Sequence, residues 1–157
     1  MTVKRVPEGY HTITPHLIVR DAAKAIDFYQ KAFGARERGR HMGPGGKIMH
    51  AEMQLGDSRF MLNDEFPEMG ARGPTGEGSS PVTIHLYVED VDKLYNQAVA
   101  AGAKATMPVM DQFWGDRYGM LTDPFGHNWS IASHIKDMTP SEMEAAGKAA
   151  MAAMGKK

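Results

Sequence analysis

One block of sequence occurs twice in this chain, 69 positions apart. Thr14, His16, Leu17, Val19, Asp21 and Lys24 recur without a gap as Thr83, His85, Leu86, Val88, Asp90 and Lys93. After a one-residue slip, Gly34-Ala35 returns as Gly102-Ala103. Internal repetition decides architecture before any single residue is weighed. At 157 residues the chain is one compact domain, or two intimately packed halves.

Each copy reads as β-α-β-β-β. Residues 12–19 are rich in β-branched side chains, with Leu17 and Val19 on one face and Thr14, His16 and Ile18 on the other. Asp21 is placed to cap a helix that runs to about Phe33 on an Ile26, Tyr29, Phe33 stripe, and Gly34 stops it. A polar strand near 36–41 leads to a turn at Gly43-Pro44-Gly45-Gly46. From Lys47 to Leu55 the pattern alternates, Met49, Ala51, Met53 and Leu55 against Ile48, His50, Glu52 and Gln54. Gly56-Asp57 then turns into a strand over Ser58–Asn63.

The second copy predicts strand 82–89, helix 90–101 and strands 103–109, 117–122 and 127–134. The first module therefore spans 10–64 and the second 82–135, within a single domain of residues 1–157. A Gly/Pro/Ser-rich linker at 65–81 joins them, with Asp64, Glu65, Phe66, Glu68 and Met69 as acidic, partly apolar linker surface. The tail, 137–157, opens on a capping box with proline, Thr139-Pro140-Ser141-Glu142. That signals a helix expected to dock on a neighbouring surface or subunit.

Composition narrows the partners. A formal net charge of −1 gives no general pull toward nucleic acid or anionic membrane. Zero Cys excludes disulfides, thiolate nucleophiles and Cys-ligated metals. No apolar run approaches the roughly 18 residues of a membrane span. Met1–Pro7 lacks the apolar stretch of a signal peptide, so a cytoplasmic location is expected. Most of the thirteen Met residues read as adaptable core filler.

Val19-Arg20-Asp21 through Ile26-Asp27-Phe28-Tyr29 and Phe33-Gly34-Ala35 carry a family resemblance. It continues in Leu86-Tyr87-Val88-Glu89-Asp90-Val91-Asp92, in Phe113-Trp114-Gly115-Asp116-Arg117-Tyr118-Gly119 and in Asp123-Pro124-Phe125-Gly126-His127-Asn128-Trp129. Over residues 10–135 these segments resemble the vicinal oxygen chelate superfamily, the glyoxalase/bleomycin-resistance fold, with wording closest to its PhnB-like branch. The resemblance implies an α+β fold of tandem βαβββ modules, usually homodimeric, binding a small organic molecule in a cavity between paired modules. In the metal-dependent members it also implies ligands at four positions, which here are Thr14, Met61, Thr83 and Ser130. Such a quartet is not a divalent-metal site, since hard cations want carboxylates and carbonyls, and zinc or iron wants His or carboxylate. No cofactor is expected there, and metal-free sequestration becomes the leading expectation.

Further polar residues are expected on the same strands. His16 and His85 lie two residues beyond the Thr positions, and His50 and Glu52 share one strand face. These four make an alternative, relocated divalent-metal site, with glyoxalase-like lyase, isomerase or oxygenase chemistry. Alternatively, His50 and Glu52 form an acid/base pair, or the histidines are simply hydrogen-bonded walls. Phe113, Trp114, Arg117 and Tyr118 crowd one hairpin, where the aromatics would stack on a flat ligand and Arg117 pair an anion. The competing reading has Asp116 and Arg117 fixing the hairpin. Trp129, the repeat mate of Phe60, faces the helix side and belongs to the core.

Overall fold

The computed structural model describes residues 2–76 and 80–155. In chain order the elements are β1 (His16–Val19), α1 (Ala22–Phe33), β2 (Arg36–Met42), β3 (Ile48–Leu55) and β4 (Ser58–Asp64), then β5 (Thr83–Tyr87), α2 (Val91–Ala101), β6 (Lys104–Asp111), β7 (Asp116–Thr122), β8 (Asn128–His134) and α3 (Pro140–Met154). They build two four-stranded mixed sheets, β1-β4-β3-β2 and β5-β8-β7-β6. In each, the first strand runs parallel to the last while the other pairs are antiparallel. The fold is α+β, two tandem βαβββ modules followed by a C-terminal helix.

The repeat extends to the helix starts. Asp21 caps α1 by accepting from the Lys24 amide, and Asp90 caps α2 from the Lys93 amide. The first helical amide of each is satisfied from the last strand of its own module. Ala22 N donates to Asp64 Oδ1 at 2.8 Å, and Val91 N donates to Ser133 Oγ at 3.0 Å. Asp64, expected in the linker, is thus a buried member of β4, and its second oxygen takes the Ile48 amide at 2.7 Å. Glu65 likewise serves packing, since its carboxylate accepts the Gly73 amide at 2.8 Å and Phe66 is buried. Residues 77–79 of the expected linker lie outside those described.

The two modules meet through their helix sides. α1 packs on α2, and an aromatic cluster of Phe28, Tyr29, Phe33, Phe60, Phe125 and Trp129 spans both modules. Trp129 is 1% exposed, as the repeat predicts, and full burial of such a side chain contributes at least about 2–3 kcal/mol. Polar stitches cross the same boundary. Tyr29 Oη donates to Asp123 Oδ2 at 2.6 Å, Gln97 Nε2 donates to the Lys31 and Ala32 carbonyls, and His127 Nε2 meets Ile18 O at 2.8 Å.

Several sequence expectations are corrected. β1 starts only at His16, because Pro15 has no amide to give the ladder; its carbonyl takes the Met61 amide. In β3, Ile48 pairs with Met42 and His50 with His41, leaving Met49 as an extra, bulged residue. The bulge flips the start of the strand, so Ile48 is buried and Met49 is 41% exposed. The Met residues are also not mainly core. Met53 is buried, whereas Met42, Met69, Met107, Met110, Met143, Met151 and Met154 are exposed on β2, β6, α3 and the linker. α3 forms with its full capping box, yet none of its residues is buried. Its Gly147 seats on the Phe113 ring, where an added Cβ would approach to 3.3 Å.

Candidate functional site

A cavity of about 500 Å³ lies where the modules join. β5 supplies one wall, from Ile84 to Tyr87 with Val88 just beyond it, and the β3–β4 hairpin, Leu55 to Phe60, supplies the other. His11, Ile13 and Pro15 rim it, and Trp129 lies at its base. The lining is mainly apolar with a few polar groups, the composition expected of a small-molecule site.

His85 and Tyr87, which line the cavity, also belong to the sheet face turned away from α2. There the side chains form an aromatic wall. His85 stacks on Tyr118 with ring centroids 5.8 Å apart, and meets Tyr87 edge-on at 4.6 Å. Trp114 stands edge-on to Tyr118 at 5.4 Å and to Phe113 at 5.1 Å. His85 Nδ1 lies 2.6 Å from Ser130 Oγ, and burial pulls its pKa down against the pull of Asp116. The wall therefore presents a neutral imidazole among π faces near pH 7. Offset and edge-to-face contacts of this kind suit a flat, apolar guest.

Asp116 fixes this wall. It is 3% exposed, and its Oδ2 accepts from Tyr87 Oη at 2.8 Å and Trp114 Nε1 at 3.1 Å. Its Oδ1 is 2.8 Å from His134 Nδ1. Burial alone would raise the carboxyl pKa, but the donors from His134, Tyr87 and Trp114 outweigh it and hold the group below its usual range. Of the residues in this arrangement, Tyr87 and His134 have no site role in the sequence reading, Ser130 enters it as a family metal position and Asp116 as a hairpin residue. The Asp-x-Tyr spacing of Asp116 and Tyr118 on a strand was the one available signal, since it puts both side chains on one face.

Arg117 points the other way. Alternation along β7 sends it to the helix side, where its guanidinium forms a fork on Asp92 at 2.7 and 2.9 Å and also reaches Asp111 at 2.9 Å. These partners depress the Asp92 pKa and raise that of Arg117. Arg117 ties β7 to α2 and β6; it is not presented to the aromatic wall.

The first module offers a different face. His16, His50 and Glu52 come together there, with His41 and Asn63. His16 and His50 sit edge-on with centroids 5.9 Å apart, and His41 lies 6.5 Å from His50. His16 Nε2 is held by Asn63 Oδ1, while His50 Nε2 stands 3.7 Å from Glu52 Oε1. Tyr10 covers this face, its ring under the Arg59 guanidinium at 5.0 Å. Burial, then the neighbouring Glu52, push its hydroxyl pKa up.

The family positions carry no metal donor set, and the relocated set is divided between the two sheets. Thr14 precedes β1 and donates to His11 O, Met61 is a thioether cross-strand from His16, and Ser130 is buried and engaged by His85. For the relocated set, His85 stands on the other sheet from His16, His50 and Glu52. Among the described residues, no group of three or more His, Asp or Glu is arranged to hold a metal ion.

Residues 9–131 match the Glyoxalase/Bleomycin resistance protein/Dioxygenase superfamily, and the chain belongs to that family. An uncharacterized protein of Mycobacterium tuberculosis (strain H37Rv) is 49% identical over 137 residues, covering 85% of this chain and 81% of its own length. Among solved structures, TioX from Micromonospora sp. ML1 superposes with a TM-score of 0.64 at 27% identity, over 80% of this chain and 99% of TioX. A PhnB protein from Bacillus cereus shares the fold, with a TM-score of 0.59 at 20% identity, over 78% of this chain and 99% of its own. No helix among the described residues is long and apolar enough to cross a membrane.

Proposed function

We propose that this chain is a metal-independent binding protein that captures a flat, largely apolar organic molecule. The guest lies in the inter-module cavity and against the wall of His85, Tyr87, Trp114 and Tyr118. The observation that carries this reading is the convergence of four rings on one sheet face beside a cavity of about 500 Å³. The absence of a fitting donor set at Thr14, Met61, Thr83 and Ser130 supports binding over metal-assisted turnover. His50 and Glu52 then serve as polar walls of the opposite module face. Titration of the purified chain with 1-anilinonaphthalene-8-sulfonate, a fused-ring aromatic probe, is expected to saturate at a fixed stoichiometry. Non-saturating, proportional uptake would contradict a built site.

The functional unit is a homodimer. Within one chain, β2 and β6 leave Met42, Met107 and Met110 exposed, and α3 leaves Met143, Met151 and Met154 exposed. Exposed methionines on uncovered sheet and helix faces mark surface that a second copy would bury. Sedimentation equilibrium is expected to return the mass of two chains, and the mass of one would reject the dimer.

A further inference from the structure

We propose that Asp116 is the positioning residue of the aromatic wall, and that His134, as an imidazolium, holds it in place and clasps the C-terminal tail to it. The inference rests on the ligand reading above for its functional consequence, but not for its geometry.

The geometry is a convergence from four parts of the chain. Tyr87 comes from β5, Trp114 from the β6–β7 turn, His134 from the end of β8, and Asp116 itself opens β7. His134 reaches past this hub, since its Nε2 lies 2.8 Å from Asp137 Oδ1 in the tail. Carboxylate oxygens accept and do not donate, so two ring nitrogens each facing one must both carry protons. The ring in this arrangement is the cation. The same tail is tied next to Trp114 a second time. The Ile135 and Lys136 amides both donate to Gly115 O, at 2.9 and 3.0 Å. Gly115 has φ +96, and an added Cβ would run into the Lys136 carbonyl, so only glycine lets the two segments close. Beyond the tail, α3 seats Gly147 on Phe113. Protonation of one imidazole is thus wired to the orientation of the hairpin aromatics and to the anchoring of α3.

The titratable and charged groups facing the pair are Tyr87 and His85 on β5, and Asp137 in the tail. The hydrogen bond to Asp116, then that to Asp137, raise the His134 pKa from 6.5. A raised folded-state value means that the clasp is complete below about 6.5 and is lost as pH rises through the folded value. Asp116 titrates in the opposite sense. Its depressed value keeps the carboxylate charged until pH falls below the ordinary 3.8. On losing its proton, His134 keeps one N–H for two carboxylates. The buried Asp116 keeps it, and the exposed Asp137 is released.

The chain has two tryptophans, so its indole N–H resonances are two, and Trp114→Phe assigns them. We expect the Trp114 indole resonance of the full chain to shift in step with the His134 ring resonance between about pH 5 and 9. The midpoint lies above 6.5 in the wild type and is lowered in Asp137→Asn. In His134→Gln the step is absent. Affinity for 1-anilinonaphthalene-8-sulfonate falls about threefold or more across the same step, equivalent to ~0.7 kcal/mol, and is flat in His134→Gln. An indole resonance that ignores pH, or that shifts identically in His134→Gln, overturns the device. If the indole step follows His134 in a protein that takes up no probe, the device stands and the ligand reading fails. If the probe binds equally at every pH while the indole stays flat, the device fails and the ligand reading stands.

Discussion

Asp123→Ala is expected to lower the unfolding free energy by about 3–5 kcal/mol, because each orphaned buried donor costs about 1–3 kcal/mol. Asp123 is 4% exposed and sits at the turn between β7 and β8. Its Oδ2 accepts from Tyr29 Oη at 2.6 Å and Trp129 Nε1 at 2.9 Å. Its Oδ1 accepts the Phe125 and His127 amides at 2.9 and 3.0 Å. Tyr29 belongs to α1 of the first module and Trp129 to β8 of the second, so one carboxylate joins the modules at the centre of their shared aromatic cluster. Removing it orphans both ring donors at once and opens the turn that positions β8. The expected fall in Tm is on the order of 10 °C for a chain of this size. Asp123→Asn keeps one carbonyl acceptor and is expected to fall between alanine and wild type. A loss under about 1 kcal/mol for the alanine variant would show that the modules are held by apolar packing alone.

Tyr118→Ala is expected to weaken binding of 1-anilinonaphthalene-8-sulfonate by about 30-fold, from ~2 kcal/mol of lost area and ring contact. The Tyr118 ring joins the wall together, with His85 stacked on it and Trp114 edge-on to it. Tyr118→Phe keeps the ring and is expected to keep the affinity. Arg117→Ala, one residue away, provides the contrast. Its guanidinium is spent on Asp92 and Asp111 on the helix side, so affinity is expected to hold while stability falls. Fluorescence titration reads all three. An unaltered affinity in Tyr118→Ala, or a large loss in Arg117→Ala, would move the guest to the other side of β7.

The contrast between Arg117 and Tyr118 shows what a sequence makes legible. Period-two alternation and the 69-residue repeat are local properties, so they disclose the βαβββ order, the Asp21 and Asp90 caps and the inward face of Trp129. The destination of a charged side chain is a tertiary property. Asp64, Asp116 and Asp123 read in sequence as linker, hairpin and turn, and each proves to be a buried acceptor for donors up to 94 positions away. The Met49 bulge was hidden for the same reason, because it is set by the pairing of β3 with β2. The exposed methionines misled in the opposite direction. Apolar residues at alternating positions announce burial without saying whether the same chain or a second copy supplies the cover.

The two modules share one topology but differ in what they present. The first module shows His16, His41, His50 and Glu52, whereas the second shows His85, Tyr87, Trp114 and Tyr118. At equivalent strand positions, Met61 and Ser130 stand cross-strand from His16 and His85, a thioether in one module and a hydroxyl in the other.

The most direct test is the affinity of the full chain for 1-anilinonaphthalene-8-sulfonate before and after exhaustive chelation, and again after adding back zinc, manganese or iron(II). Binding through the aromatic wall predicts the same dissociation constant in every sample, within about twofold. Affinity that disappears with chelation and returns with one of these ions would contradict metal-independent capture.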